Sequence, residues 1–335
     1  MISSSLSLCP GCQRSLPATQ EWNLCPSCTF PLRLLLDRYR LEEEIGQGGA
    51  GCLYRAYDLQ EQTQRAVKIL RPELFEQKEL EIRFWREVRV TRQLSQLNPH
   101  IIQLYEHGKD EFIGNFYSME YLEGQTVQQW MEEATELSFQ DIFHVIRQLC
   151  SVLQDVHDAD VLHRDLSPAN LFLVERNGDS LFLKLLDFGV AKALEGTAHS
   201  QLTQGMIGTP GYIPPEQWLG LDVDARGDQY SLAILVYELL TGERPFASKG
   251  SSVRAIMTLM HQHLEDVPLS LQQKRPELNF PFELDRVLQR ALHKKPEERF
   301  PSISAFWDAL QPFASLEVWI PKHSSGAWQR NVTQL

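Results

Sequence analysis

Six residues, Gly46-Gln47-Gly48-Gly49-Ala50-Gly51, lie between two stretches that both read as strands. Upstream, Tyr39-Arg40-Leu41-Glu42-Glu43-Glu44-Ile45 has the alternation of a strand, and downstream Cys52 to Tyr57 reads as a second one. The glycine-rich turn of a dinucleotide-binding fold must lead into a helix, so a turn that leads into a strand excludes that architecture. What is left is a hairpin whose tip is mostly glycine, without Cβ atoms at four of its six positions. Such a tip lets backbone N–H groups lie against phosphates, which suits a loop closing over a triphosphate; a plain flexible hairpin is the alternative reading.

The residues that follow decide between them. Ala66-Val67-Lys68 closes a third strand, seventeen residues beyond Gly51. Glu87 then lies on an amphipathic stretch from Leu80 to Leu97 whose apolar residues include Ile82, Trp85, Val88 and Leu94, a helical period that would let Glu87 pair with Lys68. Further on come His163-Arg164-Asp165-Leu166-Ser167-Pro168-Ala169-Asn170, Asp187-Phe188-Gly189, and Gly208-Thr209-Pro210-Gly211-Tyr212-Ile213-Pro214-Pro215-Glu216. In this order and spacing the motifs resemble those of the eukaryotic-type protein kinases, over about residues 37–312, and among them the bacterial Hanks-type enzymes without a membrane anchor.

The resemblance implies an α+β, two-lobed protein kinase fold, with a β-rich N-lobe and a helical C-lobe. It implies ATP and Mg²⁺ as cofactors. Lys68 would hold the α- and β-phosphates and Glu87 would hold Lys68, while Asn170 and Asp187, hard oxygen donors, would bind magnesium. Asp165 would orient the acceptor hydroxyl and take its proton. Gly46, Gly48 and Gly51 would cover the phosphates. Ile45, Leu53 and Ala66 would cap the adenine, Phe172 would form its floor, and Met119 would stand at the back of the pocket. Met119-Glu120-Tyr121-Leu122 is similar to the linker between lobes, where the Glu120 carbonyl and the Leu122 N–H would read the adenine edge.

Pro168 resembles the serine/threonine kinases rather than the tyrosine kinases, so Ser/Thr hydroxyls of proteins are the expected acceptors. The family usually carries a lysine two residues after the catalytic aspartate, and here that position is Ser167; one lost cation bears on rate more than on reaction class. Arg164 could pair with a phosphate on the following segment, where Thr197, Ser200 and Thr203 are candidate sites of autophosphorylation. Asp228 would anchor the catalytic loop, and Glu216 would pair with Arg299. Two other function classes stay open: a catalytically weak kinase-like scaffold, for which only Ser167 speaks, and a small-molecule kinase, against which the Gly208–Glu216 platform segment argues.

Four cysteines form two matched knuckles, Cys9-Pro10-Gly11-Cys12 and Cys25-Pro26-Ser27-Cys28, separated by twelve residues. That is metal-ligand spacing, and four soft sulfur donors favour zinc; a redox pair or disulfides is the alternative. The arrangement resembles a zinc ribbon over residues 1–34. So short a segment has no core of its own, and the metal would supply about 10 kcal/mol of its folding free energy. With all four positions filled by cysteine there is no open site for catalysis, so the ribbon would stabilise the chain or dock a partner protein. Cys52 and Cys150 read as core packing.

Of the 335 residues, 43% are hydrophobic and 23% charged, which excludes a disordered or fibrous chain. A net charge of −12 gives nucleic acid and anionic membranes no general reason to adhere. No apolar run is long enough for a membrane span, and the first residues do not resemble an export signal, so the expected location is cytoplasmic. Asp228 to Leu240 reads as a buried helix stopped at Gly242, and Ser302 to Leu310 as the last helix. Leu171 to Val174 and Ser180 to Leu186 read as a hairpin around Asn177-Gly178. Residues 313–335 form a tail without a clear period.

Overall fold

Strand-forming sequence between Tyr39 and Leu70 folds into three consecutive antiparallel strands, β1 (Tyr39–Gly48), β2 (Gly51–Asp58) and β3 (Thr63–Leu70). The computed structural model describes residues 14, 34–48, 51–75, 78–111, 113–186, 210–248, 250, 252–316 and 319–321. The chain divides into two compact units, one built from Met1–Gln93 and Gln103–Leu122, the other from Leu94–Ile102 and Glu123–Thr333.

The first unit is a five-stranded antiparallel sheet in the order β1-β2-β3-β5-β4, completed by β4 (Leu104–Asp110) and β5 (Gly114–Glu120). Its core gathers Leu35, Tyr39, Leu41, Tyr54, Ala56, Val67 and Phe116, so the chain is already packed on the sheet just before β1. The entry is fixed by charge as well. Arg38 grips Asp58 through two hydrogen bonds and donates to Glu106 at 2.9 Å, while the Tyr39 hydroxyl donates to Glu106 at 2.8 Å. Burial, first of all, pushes the Tyr39 phenol up to about 12.

Helix α1 (Lys78–Leu97) buries Val88 and half-buries Trp85 and Leu94, as its period suggests, but turns Ile82 outward. Phe84 is buried as well. An aromatic cluster sets the rotation: Phe84 meets Phe75, Trp85 and Tyr117, and Trp85 stacks on His107 at 5.1 Å.

The second unit is mostly helical. Helices α2 (Val127–Glu133) and α3 (Phe139–Asp158) start at Thr126 and Ser138, whose hydroxyls accept from Gln129 N and Asp141 N. They are followed by α4 (Pro215–Trp218), α5 (Ala225–Thr241), α6 (Val253–Glu265), α7 (Leu271–Lys274), α8 (Phe282–Ala291) and α9 (Ile303–Leu310). Helix α5 is apolar nearly all round and is buried over most of its length, the expected outcome for such a helix.

Two small sheets complete this unit. Strands β6 (Gly124–Thr126), β8 (Leu171–Arg176) and β9 (Asp179–Leu185) form one of them, in the order β6-β8-β9. Asn177 and Gly178 turn β8 into β9 with φ of 54° and 84°, the left-handed pair that an Asn-Gly hairpin turn requires. In the other, β7 (Glu136–Ser138) pairs antiparallel with β10 (Trp319–Pro321), so part of the tail adds a strand beside the start of α3, with Ile320 buried. Among the described residues no helix is long and apolar enough to cross a membrane.

Candidate active site

The catalytic-loop residues sit on an irregular segment between α3 and β8, and one carboxylate from α5 holds it. Asp228 accepts from the backbone N–H of His163 and of Arg164, each at 2.8 Å, and is 2.8 Å from His157 Nε2. Asp228 is 1% exposed. Burial by itself would raise its carboxyl, but the His157 bond, the nearby imidazoles and the His163 amide outweigh burial and hold it below the usual carboxylate value. The bonds also fix an unfavourable backbone: Arg164 has φ of 61°, a left-handed conformation costly for a residue with a Cβ. His163 is fully buried, with Nε2 2.9 Å from the Leu186 carbonyl.

Asp165 and Asn170 meet directly. Asn170 Nδ2 donates to the Asp165 carbonyl at 2.8 Å and to Asp165 Oδ2 at 3.2 Å. The turn between them, Pro168–Asn170, starts with proline, whose missing N–H has no partner to lose there. Because Asn170 uses its amide nitrogen on Asp165, its carbonyl oxygen is the atom left for a ligand, and a hard neutral oxygen beside a carboxylate fits Mg²⁺. Ser167 is 1% exposed, and its hydroxyl has no hydrogen-bond partner among the described residues.

In the first unit the sheet register sets the expected nucleotide-binding residues side by side. Gly48 pairs with Gly51, Gly46 with Leu53, Leu53 with Lys68, and Ala66 with Met119. Gly51 has no room for a side chain: a Cβ there would lie 1.9 Å from the Ile69 carbonyl oxygen. Ile45 is exposed on β1, while Ala66 and Met119 are buried. The Lys68 ammonium is 5.9 Å from the centre of the Tyr117 ring. Glu120 is tied into β5's end twice, its N–H donating to the Gln103 carbonyl at 2.9 Å and its Oε1 accepting from Gln103 N at 2.7 Å. Leu122 lies at the end of this unit and Phe172 on β8 in the other.

Below the catalytic loop, Glu216 and Arg299 form a buried two-pronged ion pair, Nη1 to Oε1 and Nη2 to Oε2, both 2.8 Å. The remaining Arg299 donors go to the carbonyls of His293, Arg226 and Lys294, so the guanidinium is fully satisfied. The turn Pro210–Tyr212 is pinned to α5: Ser231 Oγ donates to the Tyr212 carbonyl at 2.7 Å, and the Tyr212 hydroxyl donates to Glu238. Burial raises the Glu238 carboxyl, and burial next to Glu238 pushes the Tyr212 phenol well up.

The structure thus joins Asp165 to Asn170 and places Lys68, Leu53, Ala66 and Met119 on adjoining strands. The Glu87 side chain, Asp187, the candidate acceptors Thr197, Ser200 and Thr203, and the cysteines Cys9, Cys12, Cys25 and Cys28 lie outside the described residues. Sequence reasoning missed His157 as a support of Asp228 and Arg244 beside the Gly211 turn. His157 lies in the last turn of α3, which was the available signal; nothing in the sequence marks Arg244.

Comparison with known proteins agrees with this geometry. The protein kinase domain family matches residues 39–309, and the chain belongs to that family. It is 37% identical over 275 residues to the serine/threonine-protein kinase Pkn1 of Myxococcus xanthus, covering 82% of this chain and 38% of the relative. It is 34% identical over 277 residues to pkn3 of the same organism, covering 82% and 49%. The chain therefore spans half or less of the length of these curated relatives. Among solved structures, the PknI kinase domain of Mycobacterium tuberculosis is similar with a TM-score of 0.62 and 28% identity, over 83% of this chain and 96% of that one.

Proposed function

We propose that the protein is an ATP-dependent kinase that transfers the γ-phosphate to serine and threonine hydroxyls of proteins, its own activation segment included. The observation that carries this reading is the Asp165–Asn170 contact on a loop tied to Asp228 through the His163 and Arg164 amides. Phosphoryl transfer asks for positioning, charge neutralisation and one proton acceptor. Asp165 would orient the acceptor hydroxyl and take its proton. Lys68, held by Glu87, would bind the α- and β-phosphates under the loop of Gly46, Gly48 and Gly51. The adenine would lie among Ile45, Leu53, Ala66, Met119 and Phe172, reading the Glu120 carbonyl and the Leu122 N–H. Asn170 and Asp187 would hold Mg²⁺, which supplies neutralising charge to the phosphates.

In this reading the kinase domain covers residues 37–312, with 313–335 as its tail. Residues 1–34 form a zinc ribbon with Cys9, Cys12, Cys25 and Cys28 as ligands, offering a surface to a partner protein. The location is cytoplasmic. The expected acceptors are protein Ser/Thr hydroxyls, with no role in nucleic-acid or membrane binding.

The test is incubation with γ-labelled ATP, Mg²⁺ and a generic protein acceptor, followed by phosphoamino-acid analysis and a zinc assay of the same sample. Label on serine or threonine and one zinc per chain are expected. Label confined to tyrosine or to small molecules, or a chain without zinc that keeps four titratable thiols in that segment, contradicts the corresponding part.

A further inference from the structure

Within the helical unit, one guanidinium lies against the turn of the segment that the family resemblance assigns to the peptide-substrate platform. A Cβ built on Gly211 would be 1.7 Å from Arg244 Nη1 and 2.7 Å from its Cζ, so the Arg244 side chain fills the space over that glycine. Its Cζ is 5.7 Å from the centre of the Tyr212 ring. The nearest acidic partner is Glu238, at 3.9 Å from Nε, too far for a hydrogen bond. Among the described residues the guanidinium donates no hydrogen bond, although the Arg244 side chain is only 17% exposed. A planar fork of donors held on a platform and left open is matched by a carboxylate or a phosphate.

Glu238 cannot play the opposite part. It is 13% exposed, accepts from the Tyr212 hydroxyl and faces Arg244, so its charge is directed inward. The other charged groups near this corner are engaged elsewhere: Glu243 with Lys274, and Lys294 with the carbonyls of Gln262 and His263.

We propose that Arg244 is a specificity-determining residue that reads an acidic or phosphorylated side chain flanking the acceptor hydroxyl of the protein substrate. This inference rests on the protein kinase reading. The occupant is an anionic residue of the substrate; a phosphate on the chain's own segment 187–209 shares that chemistry, and the test separates the two.

The experiment measures kcat/KM on peptides with one acceptor serine and glutamate, glutamine or arginine placed in turn at each flanking position. It uses the phosphatase-treated full chain as wild type, R244Q and R244E, with thermal melts to verify folding. Wild type should favour glutamate over arginine by about tenfold at one position at least. R244Q should bring that ratio near one, and R244E should reverse it. A wild-type ratio within twofold at every position, or the same ratio in R244Q, overturns the inference, as does a glutamate preference present only before phosphatase treatment. Should R244E fail to fold, wild type and R244Q still decide. If wild type labels neither peptides nor itself, the kinase reading falls and this inference with it; peptide labelling without charge preference removes only the role of Arg244.

Discussion

Removing the Asp228 carboxylate is the most informative test of how the catalytic loop is held. In Asp228→Ala the N–H groups of His163 and Arg164 lose their acceptor, and His157 Nε2 loses its partner. Leaving a buried donor unsatisfied costs about 1–3 kcal/mol, and the left-handed backbone at Arg164 loses the bonds that hold it. The sum is about 3–5 kcal/mol, a large part of the 5–15 kcal/mol typical of a domain. With a urea slope of about 3 kcal/mol/M, the midpoint should fall by about 1–1.7 M. Asp228→Asn keeps one acceptor oxygen and should lose about half as much. The pH dependence has a fixed sign. Since the folded-state carboxyl lies below its ordinary value, its stabilisation is full above the unfolded pKa and is lost as pH falls through the lower folded one. The acid limb of stability against pH should therefore be flatter in Asp228→Ala than in wild type. A midpoint within about 0.3 M of wild type would refute the reasoning, because three bonds to a buried carboxylate cannot be lost at so small a cost.

Three further outcomes are expected. Arg299→Ala leaves Glu216 charged and buried, and should cost about 3–5 kcal/mol by denaturant melt, whereas replacing both partners by apolar residues of like volume should recover most of it. Ser167→Lys restores a cation at the position where the family usually has one, and should raise kcat about tenfold in a steady-state assay, with an unchanged or lower kcat counting against the charge argument. Ending the chain after Leu316 removes β10 and uncovers the edge of β7 and the apolar contacts of Ile320, which should lower the melting temperature by about 2–4 °C, about 1 kcal/mol for a domain of this size.

The sequence made much of this legible because its motifs impose local geometry. The strand-glycine-strand pattern was readable since Gly51 tolerates no Cβ against Ile69, and the Asn177-Gly178 turn since few residues accept paired positive φ. The helix from Ala225 to Thr241 was readable because it is apolar on nearly every side. Where the outcome depends on what an element meets in space, the reading stopped. Ile82 belongs to the apolar period of α1 yet is exposed, because Phe84, Phe75 and Trp85 fix the helix rotation. Trp319–Pro321 has no pattern of its own and becomes a strand only by pairing with β7. Arg244 shows the same limit: its position over Gly211 follows from how the end of α5 meets the Pro210–Tyr212 turn, a contact between residues far apart in the chain.

The central claim is that Asp165, held by Asn170 and by the loop bound to Asp228, accepts the proton in phosphoryl transfer rather than supporting the fold. The most direct measurement compares wild type and Asp165→Asn for Mg²⁺-dependent ATP binding and for transfer of labelled γ-phosphate to protein serine and threonine. The account predicts near-equal ATP affinity and melting temperature, with transfer lower by at least about a hundredfold in the variant. Equal transfer by the two proteins, or none by wild type despite intact ATP binding, would contradict it.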